Sequence, residues 1–173
     1  MQRVGRISGD IANRALAVYD RNFPNFTSIS PVTVNAMQNA TTPGADCPDS
    51  SEQGWYIDMD PNEKVTGRVT IKNSTIFLPR YIPDAGNICE PGAARLTEHE
   101  FICGSTVRTT PLGAGMPTEV IVYKNKVYIG ISSDASAQGT LPEGFTKQGN
   151  LIVGDPANPS PGVVVIESWR QDY

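Results

Sequence analysis

The sequence is poor in the residues on which most chemistry is built. It holds one histidine, His99, and three cysteines, Cys47, Cys89 and Cys103. No two cysteines form a CxxC pair, so the clustered Cys/His set of a structural zinc site is missing. A single histidine limits acid–base catalysis, and no GxSxG elbow presents a serine nucleophile. Charged residues are 18% of the chain and the net charge is −4, which leaves no basic surplus to neutralise nucleic-acid phosphates. No apolar run reaches the length of a membrane-crossing helix. The opening stretch MQRVGRISGDIANRA lacks the apolar core of a signal peptide, so an exported form would carry its signal elsewhere or have lost it. Glycine (16) and proline (14) are plentiful, which favours frequent turns over long helices.

What is present alternates. Helical spacing is confined to the short VNAMQNA stretch, Val34 to Ala40. RALAVYD (Arg14 to Asp20) reads as a strand, and a polar segment from Arg21 to Gln53 is longer than an ordinary connection, hence an insertion. Further strands are expected in GWYIDM (Gly54 to Met59), AARLTEHEF (Ala93 to Phe101), NLIVGD (Asn150 to Asp155) and GVVVIESWRQ (Gly162 to Gln171). Two hairpins, VTIKNSTIFL and VIVYKNKVYI, stand 51 positions apart, Val69 matching Val120 and Ile76 matching Val127. Each turn holds Lys-Asn, and asparagine tolerates the positive φ that tight hairpins demand. Val120, Ile121, Val122 and Tyr123 are consecutive apolar residues, so this strand is expected to be packed on both faces and the sheets to stack.

An antiparallel unit that recurs at this spacing, with sheets stacked face to face, is the pattern of a β-propeller. The fold class read here is all-β: the last blades of a propeller with four-stranded sheets, about two to three of the 4–8 that close a ring. The divisions expected are 1–20 (end of one blade), 21–53 (inserted loop), 54–103 (one blade) and 104–173 (final blade). Such a wedge would expose apolar flanks and needs further blades or a companion polypeptide to cover them. A self-contained β-sandwich binding domain is the alternative.

The order of motifs is NRALAVYD, GWYIDMDPNEKV, YIPDAGNICEPGAARL, GAGMPTEVIV, KVYIGISS and ESWRQ. In that order they resemble the C-terminal end of the propeller in the PilC/PilY family of type IV pilus tip adhesins. The resemblance spans most of the chain outside the insertions. RLTEHEF departs from it by placing His99 and two glutamates where that family has apolar and aromatic residues. The resemblance implies a non-enzymatic structural and adhesive role in pilus biogenesis and surface attachment, at the cell surface, pilus tip or outer membrane. Implied partners are the remaining blades, pilins or minor pilins, and a host or abiotic surface. The family's calcium loop is expected upstream of this segment; Asp58 and Asp60 alone offer too few oxygens. A quinoprotein-type propeller enzyme, with its site on blades not included here, is the rival.

Individual residues have competing readings. A Cys89–Cys103 bridge would close a loop near 15 residues, worth about 3 kcal/mol; three reduced cysteines are the alternative, and Cys47 could pair with either. His99 is expected to be exposed on an outer strand, on the face opposite Glu98 and Glu100. Trp55 and Trp169 are read as packing between blades rather than as ligand anchors. Phe23, Phe26 and Cys47 mark the long loop as the candidate partner contact. No cofactor, metal or catalytic residue is assigned.

Overall fold

The computed structural model describes residues 13–20, 31–84, 86, 89–133 and 141–158. Among them the chain is all-β apart from a 3₁₀ turn at Val34–Ala36. The strands are β1 (Arg14–Val18), β2 (Gln38–Asn39), β3 (Gly54–Asp58), β4 (Lys64–Val65), β5 (Thr70–Lys72), β6 (Thr75–Ile82), β7 (Ala93–Glu100), β8 (Thr106–Ala114), β9 (Pro117–Tyr123), β10 (Lys126–Ile131), β11 (Phe145–Gln148) and β12 (Leu151–Gly154).

They form three sheets, none of them closed, and only the β2–β3 pair is parallel. The first sheet has the order β1-β3-β2. The second runs β4-β6-β7-β8, with β5 also paired to β6, and the third runs β11-β12-β10-β9. The sheet divisions therefore fall between Asp58 and Lys64 and between Ala114 and Pro117, not at 53/54 and 103/104. GWYID pairs back to β1, Leu16 opposite Tyr56 and Ala17 opposite Trp55, which assigns it to the preceding sheet.

The second sheet is covered on both faces. On one, Ile76 and Leu78 pack against Trp55, Ile57 and Ala40 of the first sheet and its flanking loop. On the other, Phe77, Leu96 and Leu112 meet Val120, Val127, Ile129 and Ile152 of the third. Period-2 alternation explains this: along β6, even-numbered residues point one way and odd-numbered ones the other, with Ile76 and Leu78 in one set and Phe77 in the other. Pro79 lies inside β6, a central strand. Its carbonyl accepts from the Thr66 N–H, so its nitrogen faces the gap between β4 and β5, where no ladder bond is lost.

The duplicated hairpins are β5–β6 and β9–β10. Their corners are Asn73-Ser74 and Lys124-Asn125, all four at positive φ, and they keep the offset of 51. The first corner is thus one residue later than its Lys-Asn pair. β9 differs from the double-sided packing expected of it: Val120 is buried, whereas Ile121 and Tyr123 are exposed. VNAMQNA gives only the 3₁₀ turn and β2. Three strands, β4, β8 and β11, arise where the sequence suggested none. GVVVIESWRQ, Trp169, Phe23 and Phe26 lie outside the described residues.

Candidate functional site

Among the described residues, two buried ionic clusters and one open apolar cleft are site-like, and all three lie at sheet–sheet boundaries. The first cluster sits on the face of the second sheet that meets the first. Glu63, fully buried, receives Arg95 Nε at 2.5 Å and Arg80 Nη1 at 3.4 Å. Arg95 also pairs with Asp60, and the Asp60 N–H donates to Glu63 Oε2 at 3.1 Å. The Asn13 amide, just before β1, donates to the Glu63 carbonyl at 2.6 Å and ties the first sheet to the cluster.

His99 belongs to the same cluster and is fully buried, correcting the expectation of an exposed outer-strand residue. β7 is an inner strand, flanked by β6 and β8 and covered on both faces, and Leu96 to His99 in it are all buried. The ring's Nε2 accepts from Arg80 Nη2 at 3.1 Å and from the Thr97 hydroxyl at 2.9 Å. Its Nδ1 then carries the proton and donates to the Gly104 carbonyl at 3.1 Å. Burial above all, and the Arg80 charge second, push its pKa down to about 4, against a smaller opposing effect of the Gly104 bond. His99 is thus a neutral structural ring.

Glu98 points the other way, as strand alternation requires. Also fully buried, it receives Arg108 Nε at 2.7 Å and the Ala157 N–H at 2.7 Å. Arg108 reaches on to the Asp155 carbonyl and lies over the Phe145 ring, 5.2 Å from its centre. Successive residues of β7 therefore anchor opposite faces, His99 toward the first sheet and Glu98 toward the third.

The disulfide joins Cys47 to Cys103, with Cα atoms 4.3 Å apart, in place of the expected Cys89–Cys103 bridge. Cys89 precedes β7 and Cys103 follows it. Eight extended residues at ~3.3 Å each separate the two ends of that strand, too far for a disulfide. Cys89 is exposed and takes no part in the bridge. Cys47 is thereby a tether of the inserted loop to the β7–β8 turn. Trp55 is buried beside that turn, its Nε1–H donating to the Phe101 carbonyl at 3.1 Å, which makes it packing between sheets.

The cleft, of about 480 Å³, opens between β1 and the β5–β6 hairpin. The β1 edge at Leu16 and Val18 borders it and Val69, Ile71 and Phe101 line it, these five being 45–54% exposed, with Trp55 behind them. Nothing in the sequence marked it, because it depends on which strand terminates the first sheet.

Asp58 is paired to Arg14 and Asp60 to Arg95. Among the described residues no group of three or more His, Cys, Asp or Glu could hold an ion. No helix among them is long and apolar enough to cross a membrane. No family model, curated protein or solved structure matches the chain.

Proposed function

We propose that the chain is a non-enzymatic structural module: a wedge of a β-propeller, stacked in its working form against further sheets, and serving a pilus-tip or cell-surface protein in attachment. The observation that carries this reading is a sheet clamped on both faces between two neighbours that, among the described residues, carry exposed apolar side chains on their outer faces. Leu16 and Val18 project outward from the first sheet, and Ile121 and Tyr123 from the third, each 54–59% exposed. Apolar flanks of this kind mark interaction surfaces in a folded protein. The repeated hairpin at the same offset and the ordered PilC/PilY-like motifs point to a stack that continues. The disulfide suits an oxidising compartment outside the cytosol.

Immunogold labelling of the source cells and of filaments sheared from them tests the reading. Label at the cell surface and at filament ends is the expected result. Label restricted to the cytosol overturns it, as does a bound quinone detected by absorbance in the purified protein.

A further inference from the structure

Among the described residues β1 ends the first sheet, and its backbone is paired on one side only. The ladder shows which side. Met59 N–H donates to the Asn13 carbonyl and Tyr19 N–H to the Gln53 carbonyl, so odd-numbered residues of this segment turn their backbone groups toward β3. Antiparallel alternation then turns the N–H and C=O groups of Arg14, Leu16 and Val18 the other way, past the open edge. That edge borders the apolar cleft, whose far wall is Val69 and Ile71 on β5 and its approach. Exposed backbone groups spaced two residues apart beside an apolar trough are the two requirements for strand addition: main-chain bonds to hold the strand, and a place for its alternate side chains.

We propose that the open edge of β1 is a strand acceptor. Its occupant is an uncharged extended segment, apolar at every second residue, supplied by a polypeptide outside this 173-residue stretch. This rests on the reading of the chain as part of a larger stack and identifies where that stack joins it. The choice of occupant follows from continuity with an interface already formed. Trp55 and Ile57 on β3 cover β6, while β1 leaves Val69 and Ile71 bare beyond it. One more strand alongside β1 would carry the first sheet over β5 and extend the same core. The lining dictates the chemistry: Arg14 is its one charged residue, paired with Asp58, and the others are apolar apart from Tyr19.

Amide hydrogen exchange of the full chain tests this, with a lysine-flanked peptide of alternating threonine and valine as probe. A peptide of the same composition with a central proline is the control. The alternating peptide should slow exchange at Leu16 and Val18 by roughly tenfold or more, and the proline peptide should not. Ile71→Glu, at an exposed position in the cleft, should abolish the effect. Ile121→Glu, on the opposite flank, should leave it intact. Absence of protection at Leu16 and Val18 overturns the proposal. Protection at β9 or β11 instead overturns this edge while leaving the wedge reading standing. Protection already present in the chain alone shows the edge filled by the chain itself, or by a second copy where it grows with concentration, and either result overturns the assignment to an outside segment. Cytosolic label in the microscopy experiment would instead reject the surface role without touching the edge.

Discussion

Arg80 donates to His99 across 3.1 Å, from β6 to β7, and its charge adds to the burial that keeps the chain's only histidine in its neutral form. The ring faces Arg80, the Thr97 and Thr106 hydroxyls and the Gly104 carbonyl. Its folded pKa is pushed down to about 4 from an ordinary 6.5. Below pH 6.5 the unfolded chain takes up a proton that the folded chain refuses until about pH 4. Stability should therefore be fully present above pH 6.5 and fall between 6.5 and 4, by an amount of order 3 kcal/mol. Urea unfolding at half-unit pH steps measures this. His99→Gln should flatten the upper part of that window; an unchanged slope would show that another group causes it.

Glu63 stands between two arginines that face each other across β6 and β7, Arg80 opposite Arg95. Arg80 is itself buried, and its Nε has no partner. Burial pulls its pKa below the usual arginine value, with Glu63 as the main opposing influence. Glu63→Ala leaves that guanidinium uncompensated, and should cost about 3–5 kcal/mol in denaturant unfolding. Lys126→Ala, which removes an ion pair to Asp155 whose side chains are 46% and 54% exposed, should cost less than about 1 kcal/mol. Equal losses in the two variants would contradict the burial argument.

The Cys47–Cys103 bridge spans 56 positions. In the chain-entropy model a loop of that length is worth about 4 kcal/mol. Non-reducing digestion should yield one linked pair of peptides holding those cysteines. Cys47→Ser should lower stability by up to about that amount, whereas Cys89→Ser should change it little. A Cys89–Cys103 peptide in the digest would refute the pairing.

Alternation made much of the fold legible. β1, β3, β7, β12 and both hairpins lie where apolar residues recur at every second position, and the stacked sheets follow from β6 carrying apolar residues on both faces. What escaped depended on tertiary neighbours. β8 carries Pro111 and three threonines and resembles a loop, yet as a terminal strand with register shifts it tolerates a proline. His99 looked like a surface residue because its strand was read as the outer one of a blade. Its burial comes from strand order, and it is made tolerable by an arginine nineteen positions away. The cysteine pairing was illegible for the same reason: closeness along the chain placed Cys89 and Cys103 together, but the strand between them holds them apart. Of the candidate site, only the pairing of buried charges across strands left a trace, as polar residues interrupting apolar runs.

Gly104 follows Cys103 in the β7–β8 turn at φ +73°, and a Cβ placed there would lie 2.4 Å from the Trp55 ring. Two separate penalties meet at this position. An L-residue in the left-handed region costs roughly 1 kcal/mol, and intrusion on a packed ring adds about 1–3 kcal/mol. Trp55 cannot simply yield, because Ala17 is its strand neighbour and its indole N–H is committed to the Phe101 carbonyl. Gly149 supplies the comparison: at φ +60°, in the β11–β12 turn, it has open space where a Cβ would go. Gly149→Ala should therefore register the backbone penalty alone, while Gly104→Ala should cost about 2–4 kcal/mol and shift the tryptophan emission. Matching losses in the two variants would mean that the turn moves away from Trp55 freely, and that this contact does not fix the first sheet against the second.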